Sequence, residues 1–205
     1  IKAQELTAGE NNFVLEVSGK EPKSAGFDLA LVAVNLVPAG QNFALDWNII
    51  GPFEARDMSY LATTYPPENE TNLNKTYPGK NSQPVAWQTI KARASGYVAL
   101  NEMLQPNEQA IAYGLTYLYS PEERQVTLLL GSDDGVKLWV NDVLVHTNPA
   151  YRGAYPDQDR VSVNLKAGWN KVLIKVLQGA GGWGFYLRIP DPKGEYRWSA
   201  RPAGK

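Results

Sequence analysis

The sequence predicts an all-β protein built as a sandwich, and three observations carry that expectation. Side chains alternate with strand period in one segment after another, as where Phe13, Leu15 and Val17 alternate with Val14 and Glu16. Helical periodicity sustained over three turns occurs nowhere, and only Asn101–Met103 and Pro121–Glu123 read as single turns. Between the apolar runs lie segments dense in Gly, Pro and Asn, the residues that punctuate turns.

Taken in order, the first strand is followed by a turn-rich loop over Gly19–Gly26 and a second apolar strand over Phe27–Leu36, closed by Pro38-Ala39-Gly40. This unit recurs near the other end of the sequence. Leu165-Lys166-Ala167-Gly168-Trp169-Asn170 precedes Val172, Ile174 and Val176 as Leu6-Thr7-Ala8-Gly9-Glu10-Asn11 precedes Phe13, Leu15 and Val17. Some 40 residues cannot bury a core alone. Residues 1–39 are therefore expected to be the terminal strands of a preceding, incomplete sandwich unit. Residues 40–192 form the main domain and residues 193–205 a tail.

The main domain opens with Asp46–Phe53, a strand ending in a Gly-Pro turn. Arg56–Pro84 is long, polar and rich in Pro, Asn and Gly, the kind of loop that is usually functional or mobile. Strands are expected over Val85–Ala92, Ala110–Leu118 and Gln125–Leu130. A hairpin over Val136–Val145 reverses at Asn141-Asp142. A second polar loop spans His146–Asp159, and strands over Arg160–Leu165, Lys171–Leu177 and Gly184–Ile189 complete the set. The organising stretch is Leu128–Asn141, two strands joined through Ser132-Asp133-Asp134-Gly135 at one end of the core.

Composition excludes several functions. Twenty basic residues face 21 acidic ones without blocks of either sign, so nucleic acid lacks the clustered basic face it needs. No apolar run approaches the roughly 20 residues of a membrane span. Cysteine is absent, which removes disulfides, thiolate catalysis and cysteine-bound zinc. No signal peptide is recognisable, and a first residue of Ile1 leads us to expect a processed or excised chain. Abundant Trp, Tyr, Gly, Pro and Asn, with sequons at Asn69 and Asn74, suit a secreted, extracellular, cell-surface or periplasmic protein.

The run Gly179-Ala180-Gly181-Gly182-Trp183-Gly184 matches a dinucleotide fingerprint in letters only, since a strand and Pro190 follow where a helix is required. Its glycines make a flexible loop around Trp183, for which two readings stand. The indole either stacks on the apolar face of a sugar ring or plugs the end of the sandwich. Tyr151, Arg152, Asp157 and Asp159 bring an aromatic and planar polar groups suited to vicinal hydroxyls; the alternative is a salt-bridged surface loop. Asp133 and Asp134 either ligate calcium, with Asn148, Asp157 or Asp159 adding oxygens, or cap backbone donors. Lone His146 is read as structural or solvated. Trp47 and Trp87 are read as core, Trp139 as packing under the N-terminal unit, and Trp198 as a contact for another chain. Glu68, Glu70, Asp133 and Asp157 are the carboxylates available for a glycosidase pair, and nothing in the sequence places two of them together.

From Gly131 to Ile189 the chain resembles accessory β-sandwich modules of secreted bacterial polysaccharide-degrading enzymes. The matching residues are Ser132–Asn141, Pro156–Val161, Leu165–Asn170, Gln178 and Gly181–Phe185, with Trp47–Phe53 fitting the opening strand. Ser132-Asp133-Asp134-Gly135 is also similar to the PA14 family, in some of whose lectin members paired aspartates hold calcium that bridges to sugar. That resemblance ends after Val140. It implies Asp133 and Asp134 as calcium ligands and a jelly-roll sandwich of galactose-binding-like or PA14-like type. Leu6–Pro38 resembles the closing strands of a sugar-binding jelly roll. The expected function is noncatalytic glycan binding as an accessory module of a glycan-active protein. Two alternatives stay open: an assembly subunit completed by strand exchange with a neighbouring subunit through its N-terminal strands, and the C-terminal part of a glycoside hydrolase.

Overall fold

A computed structural model describes residues 41–202, which belong to the second of two units into which the chain divides, Gly40–Lys205. The expectations placed on residues 1–39, including strand exchange, lie outside the described residues. Fourteen strands and four short helical turns make up the described part. The opening strands are β1 (Gln41–Phe43), β2 (Asp46–Glu54), β3 (Thr76–Pro78), β4 (Pro84–Ala86), β5 (Gln88–Lys91) and β6 (Val98–Ala99). The long strands follow: β7 (Ala110–Ser120), β8 (Arg124–Asp133), β9 (Val136–Val140), β10 (Val143–Asn148), β11 (Asp159–Leu165), β12 (Gly168–Gln178) and β13 (Gly184–Pro190). A short β14 (Arg197–Ser199) closes the series.

The larger sheet runs β10-β9-β12-β7-β2-β5 with β14 added on β7, and the smaller runs β1-β13-β8-β11 with β6 on β13. All pairings are antiparallel. From β7 to β13 the chain passes back and forth between the sheets, leaving the larger sheet for the smaller at β8, β11 and β13. The fold is thus the all-β sandwich expected. Ser132–Gly135 joins its two strands as a crossing from the smaller sheet to the larger. The hairpin is β9–β10, where Asn141 and Asp142 both take positive φ, 51° and 68°. A two-residue loop of that geometry matches the twist of its strands, and Asn and Asp tolerate it best among side-chain-bearing residues.

Two apolar clusters hold the sandwich. Between the sheets, Trp47 and Ile174 of the larger meet Leu130, Phe185 and Leu187 of the smaller, with the Phe185 ring edge-on to Trp47 at 4.9 Å. Each such side chain fully withdrawn from water contributes about 1.5–3 kcal/mol. On the other face of the larger sheet, Ile50, Phe53, Ile111, Tyr113, Leu115, Leu173 and Leu177 are buried as well. Their cover is the polar stretch after β2. It supplies Leu61 from the 3-10 turn Met58–Ala62, then Tyr77 of β3 and Val85 of β4. The central strands β2, β7 and β12 are therefore buried on both faces along most of their length, and Val172–Leu177 of β12 is apolar except at Lys175. Trp87 and Trp139 pack against this second cluster, half-buried; the expectation that Trp139 packs under the N-terminal unit lies outside the described residues.

Of the residues expected to be a tail, 195–200 are stitched into the domain. Asp191 accepts hydrogen bonds from the backbone of Glu195 and Tyr196 and from Asn42 Nδ2. Arg197–Ser199 pairs with β7, and the Trp198 indole donates to the Asn42 carbonyl. Asn48 Nδ2 reaches the Ala200 carbonyl at 2.7 Å.

Candidate functional site

At the crossing between β8 and β9, backbone bonds from Asp134 N to the Leu177 carbonyl and from Leu177 N to the Gly135 carbonyl fix the turn against β12. Asp134 is buried. Its Oδ1 accepts the Arg152 amide and its Oδ2 the Gly179 amide, each at 2.9 Å, so one carboxylate ties together the loops after β10 and after β12. This is the backbone-capping role that short acidic side chains favour. Asp133, across a cis peptide, is half-buried, and among the described residues its carboxylate has no hydrogen-bond partner. Burial, and after it the Asp134 charge, push its pKa up to about 6. A Cβ at Gly182 would stand 2.6 Å from Asp133 Oδ2, so the glycine loop passes directly over that carboxylate.

Calcium takes about six to eight oxygens. Among the described residues no third His, Cys, Asp or Glu joins the pair, and both Asp134 oxygens are engaged by amides. One open carboxylate remains, and the residues present do not fit that ion.

The loop between β10 and β11 is clamped at several points. Arg152 grips Asp159 through both terminal nitrogens and reaches Ser132 Oγ at 2.9 Å. Asn148 Nδ2 donates to the same Asp159 carboxylate at 2.9 Å. Burial works to raise the Asp159 pKa, but the Arg152 and Asn148 hydrogen bonds and the Arg152 charge together hold it below the usual carboxylate range. His146 Nε2 lies 3.3 Å from Asp159. Asp157 takes Arg188 of β13 in a two-pronged pair. Gln158 Oε1 accepts from the Ser132 and Tyr155 amides, and its Nε2 donates to the Gly153 carbonyl. The loop lies so close over β8 that a Cβ at Gly131 would fall 1.8 Å from the Tyr155 carbonyl oxygen.

On this clamped backbone Tyr151 and Tyr155 stand out, 65% and 69% exposed. Tyr151 is oriented by its hydroxyl, which accepts the Met58 amide at 3.2 Å. Of the residues the sequence singled out, Tyr151 presents a ring to solvent. Arg152, Asp157 and Asp159 spend their charges on internal pairs.

Trp183 corrects the stacking expectation. It is fully buried in the central core, and its carbonyl accepts the Asn101 amide of α2 (Leu100–Met103). The glycine loop folds the indole inward because the end of the sandwich needs a large apolar plug, and no face is left for a ligand.

Three of the four carboxylates weighed for glycosidase chemistry are paired with cations: Glu68 with Lys175, Glu70 with Lys75 and Asp157 with Arg188. The first of these is a feature the sequence reading missed. Lys175 lies fully buried on the outer face of β12. Its Nζ donates to the Leu61 carbonyl at 3.0 Å, the Thr63 carbonyl at 2.5 Å and Glu68 Oε1 at 2.9 Å. The Tyr65 and Tyr113 rings flank it at 5.4 and 5.6 Å, and Tyr113 Oη donates to the same Glu68 oxygen. Burial lowers the lysine pKa against the opposing pull of Glu68. One signal was available: a lysine in the middle of Val172–Leu177, where every neighbour is apolar.

No protein-family model matches the chain, and no curated protein matches its sequence. Among solved structures the chain is similar to a β-glucosidase from Kluyveromyces marxianus in complex with glucose, at 14% identity and a TM-score of 0.43 over 70% of this chain and 16% of that one. It is also similar to a GH31 α-xylosidase from Xanthomonas citri, at 14% identity and a TM-score of 0.40 over 80% of this chain and 17% of the other. The PA14 domain of the MpAFP antifreeze protein matches at 12% identity and a TM-score of 0.39, over 84% of this chain and all of that domain. The chain thus spans less than a fifth of the length of either glycosidase.

Proposed function

We propose that the chain is a noncatalytic glycan-binding module, an accessory part of a secreted glycan-active protein, and that its contact surface is the loop between β10 and β11. The observation that carries this reading is the pair Tyr151 and Tyr155, both exposed on a backbone fixed by Arg152–Asp159, Asp157–Arg188 and the Gln158 bonds. Rings held on a rigid loop present a flat apolar face at little cost in ordering, which suits the C–H face of a pyranose. Arg152 and Asp159 act here as scaffold. Asp157, a third exposed, keeps a rim position from which it can accept hydroxyl protons. No step in this reading runs through calcium.

Calorimetric titration of a glycan panel against the full chain and its Tyr151→Ala/Tyr155→Ala variant tests the reading. Loss of binding in a variant with unchanged circular dichroism supports it. Equal heats for both proteins, or no heat with any glycan, would remove it.

A further inference from the structure

On the β2–β5 side of the larger sheet, away from the tyrosine loop, a cleft of about 330 Å³ opens between the β3–β4 ribbon, the edge strand β5 and the end of α2. Its apolar part is made by Pro52, Met103 and Leu104. Its polar part consists of three primary amides, Gln83 before β4, Gln88 at the start of β5 and Gln105 after α2, all on exposed residues. One charged residue, Lys80, lines it, and that charge is already committed. Lys80 Nζ donates to the Glu108 and Gln109 carbonyls at 2.9 and 2.6 Å.

We infer that this cleft is a second binding site and that its ligand is a neutral sugar ring. A cavity of this size lies in the range of small-ligand pockets, which combine apolar walls with a few placed polar groups. No carboxylate in the lining offers a cation a counter-charge, and the Lys80 ammonium is held by two carbonyls and faced by Glu54 at 3.8 Å, so an anion would have to compete with those partners for it. A primary amide both donates and accepts, which is what a hydroxyl requires of its partner. Gln105 Nε2 already reaches the Asn101 carbonyl at 3.3 Å, leaving its oxygen to accept. Three amides around an apolar floor fit a ring with hydroxyls on its edge and C–H groups on its face. The site takes its ligand class in common with the loop proposal but shares no residue with it.

The test is nitrogen-15 NMR on the full chain with cellotriose, xylotriose, maltotriose and chitotriose as neutral probes. A proline-rich peptide serves as the competing class. The side-chain amide signals of Gln83, Gln88 and Gln105 are expected to shift saturably with at least one neutral trisaccharide. Gln88→Ala/Gln105→Ala weakens that response roughly tenfold or more, and Ala86→Trp, which fills the cleft from the exposed edge, abolishes it. Tyr151→Ala/Tyr155→Ala leaves it unchanged. Shifts at the tyrosine loop alone would overturn the cleft and spare the loop reading; shifts at the cleft alone, with none at the tyrosine loop, would do the reverse. Response to the peptide alone, or silence at all three glutamines, overturns the inference.

Discussion

Replacing Lys175 with methionine tests the reasoning about the covered face of the larger sheet most directly. The ammonium satisfies the buried Leu61 carbonyl, the part-buried Thr63 carbonyl and the Glu68 carboxylate, which is itself only 11% exposed. Lys175→Met keeps the stem volume and the contact with Tyr65 and Tyr113, but leaves all three acceptors without their donor. Breaking a buried pair from one side costs about 3–5 kcal/mol. Water can reach Glu68 and Tyr113 still donates to it, so the lower end applies, about 3 kcal/mol, or roughly 6–12 °C in Tm for a domain of this size. Adding Glu68→Gln removes the stranded charge and keeps an acceptor for Tyr113 Oη, and is expected to restore at least half of the loss. Urea unfolding of the wild type, both single variants and the double variant closes the cycle. Limited tryptic digestion reports on the segment that Lys175 holds, through cleavage at Arg56 or Lys75. A loss below about 1 kcal/mol for Lys175→Met, or strict additivity with Glu68→Gln, would refute the argument.

Three other outcomes follow from the geometry. Trp183→Ala is expected to lower stability by about 3–5 kcal/mol in urea unfolding, as the loss of a fully buried core indole. Asp133, with its pKa raised from 3.8 to about 6, gives stability that is complete below 3.8 and lost as pH rises through 6. Asp133→Asn should therefore match the wild type in acid and exceed it near neutral pH by about 1 kcal/mol, after allowance for solvent at a half-exposed carboxylate, in thermal melts across that range. Gly131→Ala drives a methyl to within 1.8 Å of the Tyr155 carbonyl, so it should displace the tyrosine loop and weaken glycan binding in the same calorimetric assay.

The long strands were legible because alternation and turn residues both marked them, and β7, β9, β11, β12 and β13 fall where the pattern put them. Period two reports which side a residue faces, but not whether that side is covered. Residues Arg56–Pro84 therefore read as a polar excursion, although Leu61 and Tyr77, widely spaced within it, and Val85 just after it cap a second core. The same blindness hid Lys175. Trp183 shows the converse limit. A glycine-flanked indole has equal freedom to turn outward or inward, and the choice is made by the empty end of the sandwich, which no local pattern records. The short strands β1, β3, β6 and β14 carry no pattern, being two or three residues long. Tertiary pairing alone creates them.

Asn42 beside Asp191 and Tyr196, and Asn48 beside Ala200, bring the way into the domain next to the way out of it. A chain growing from its amino end cannot shut this shell until its last strand has been released from the ribosome. Until then β7, which has to wait for both β12 and β14, stays half-dressed. Partners so far apart along the chain make for slow folding, and they also give the finished domain the geometry of a cassette, able to sit inside a longer polypeptide with little disturbance on either side.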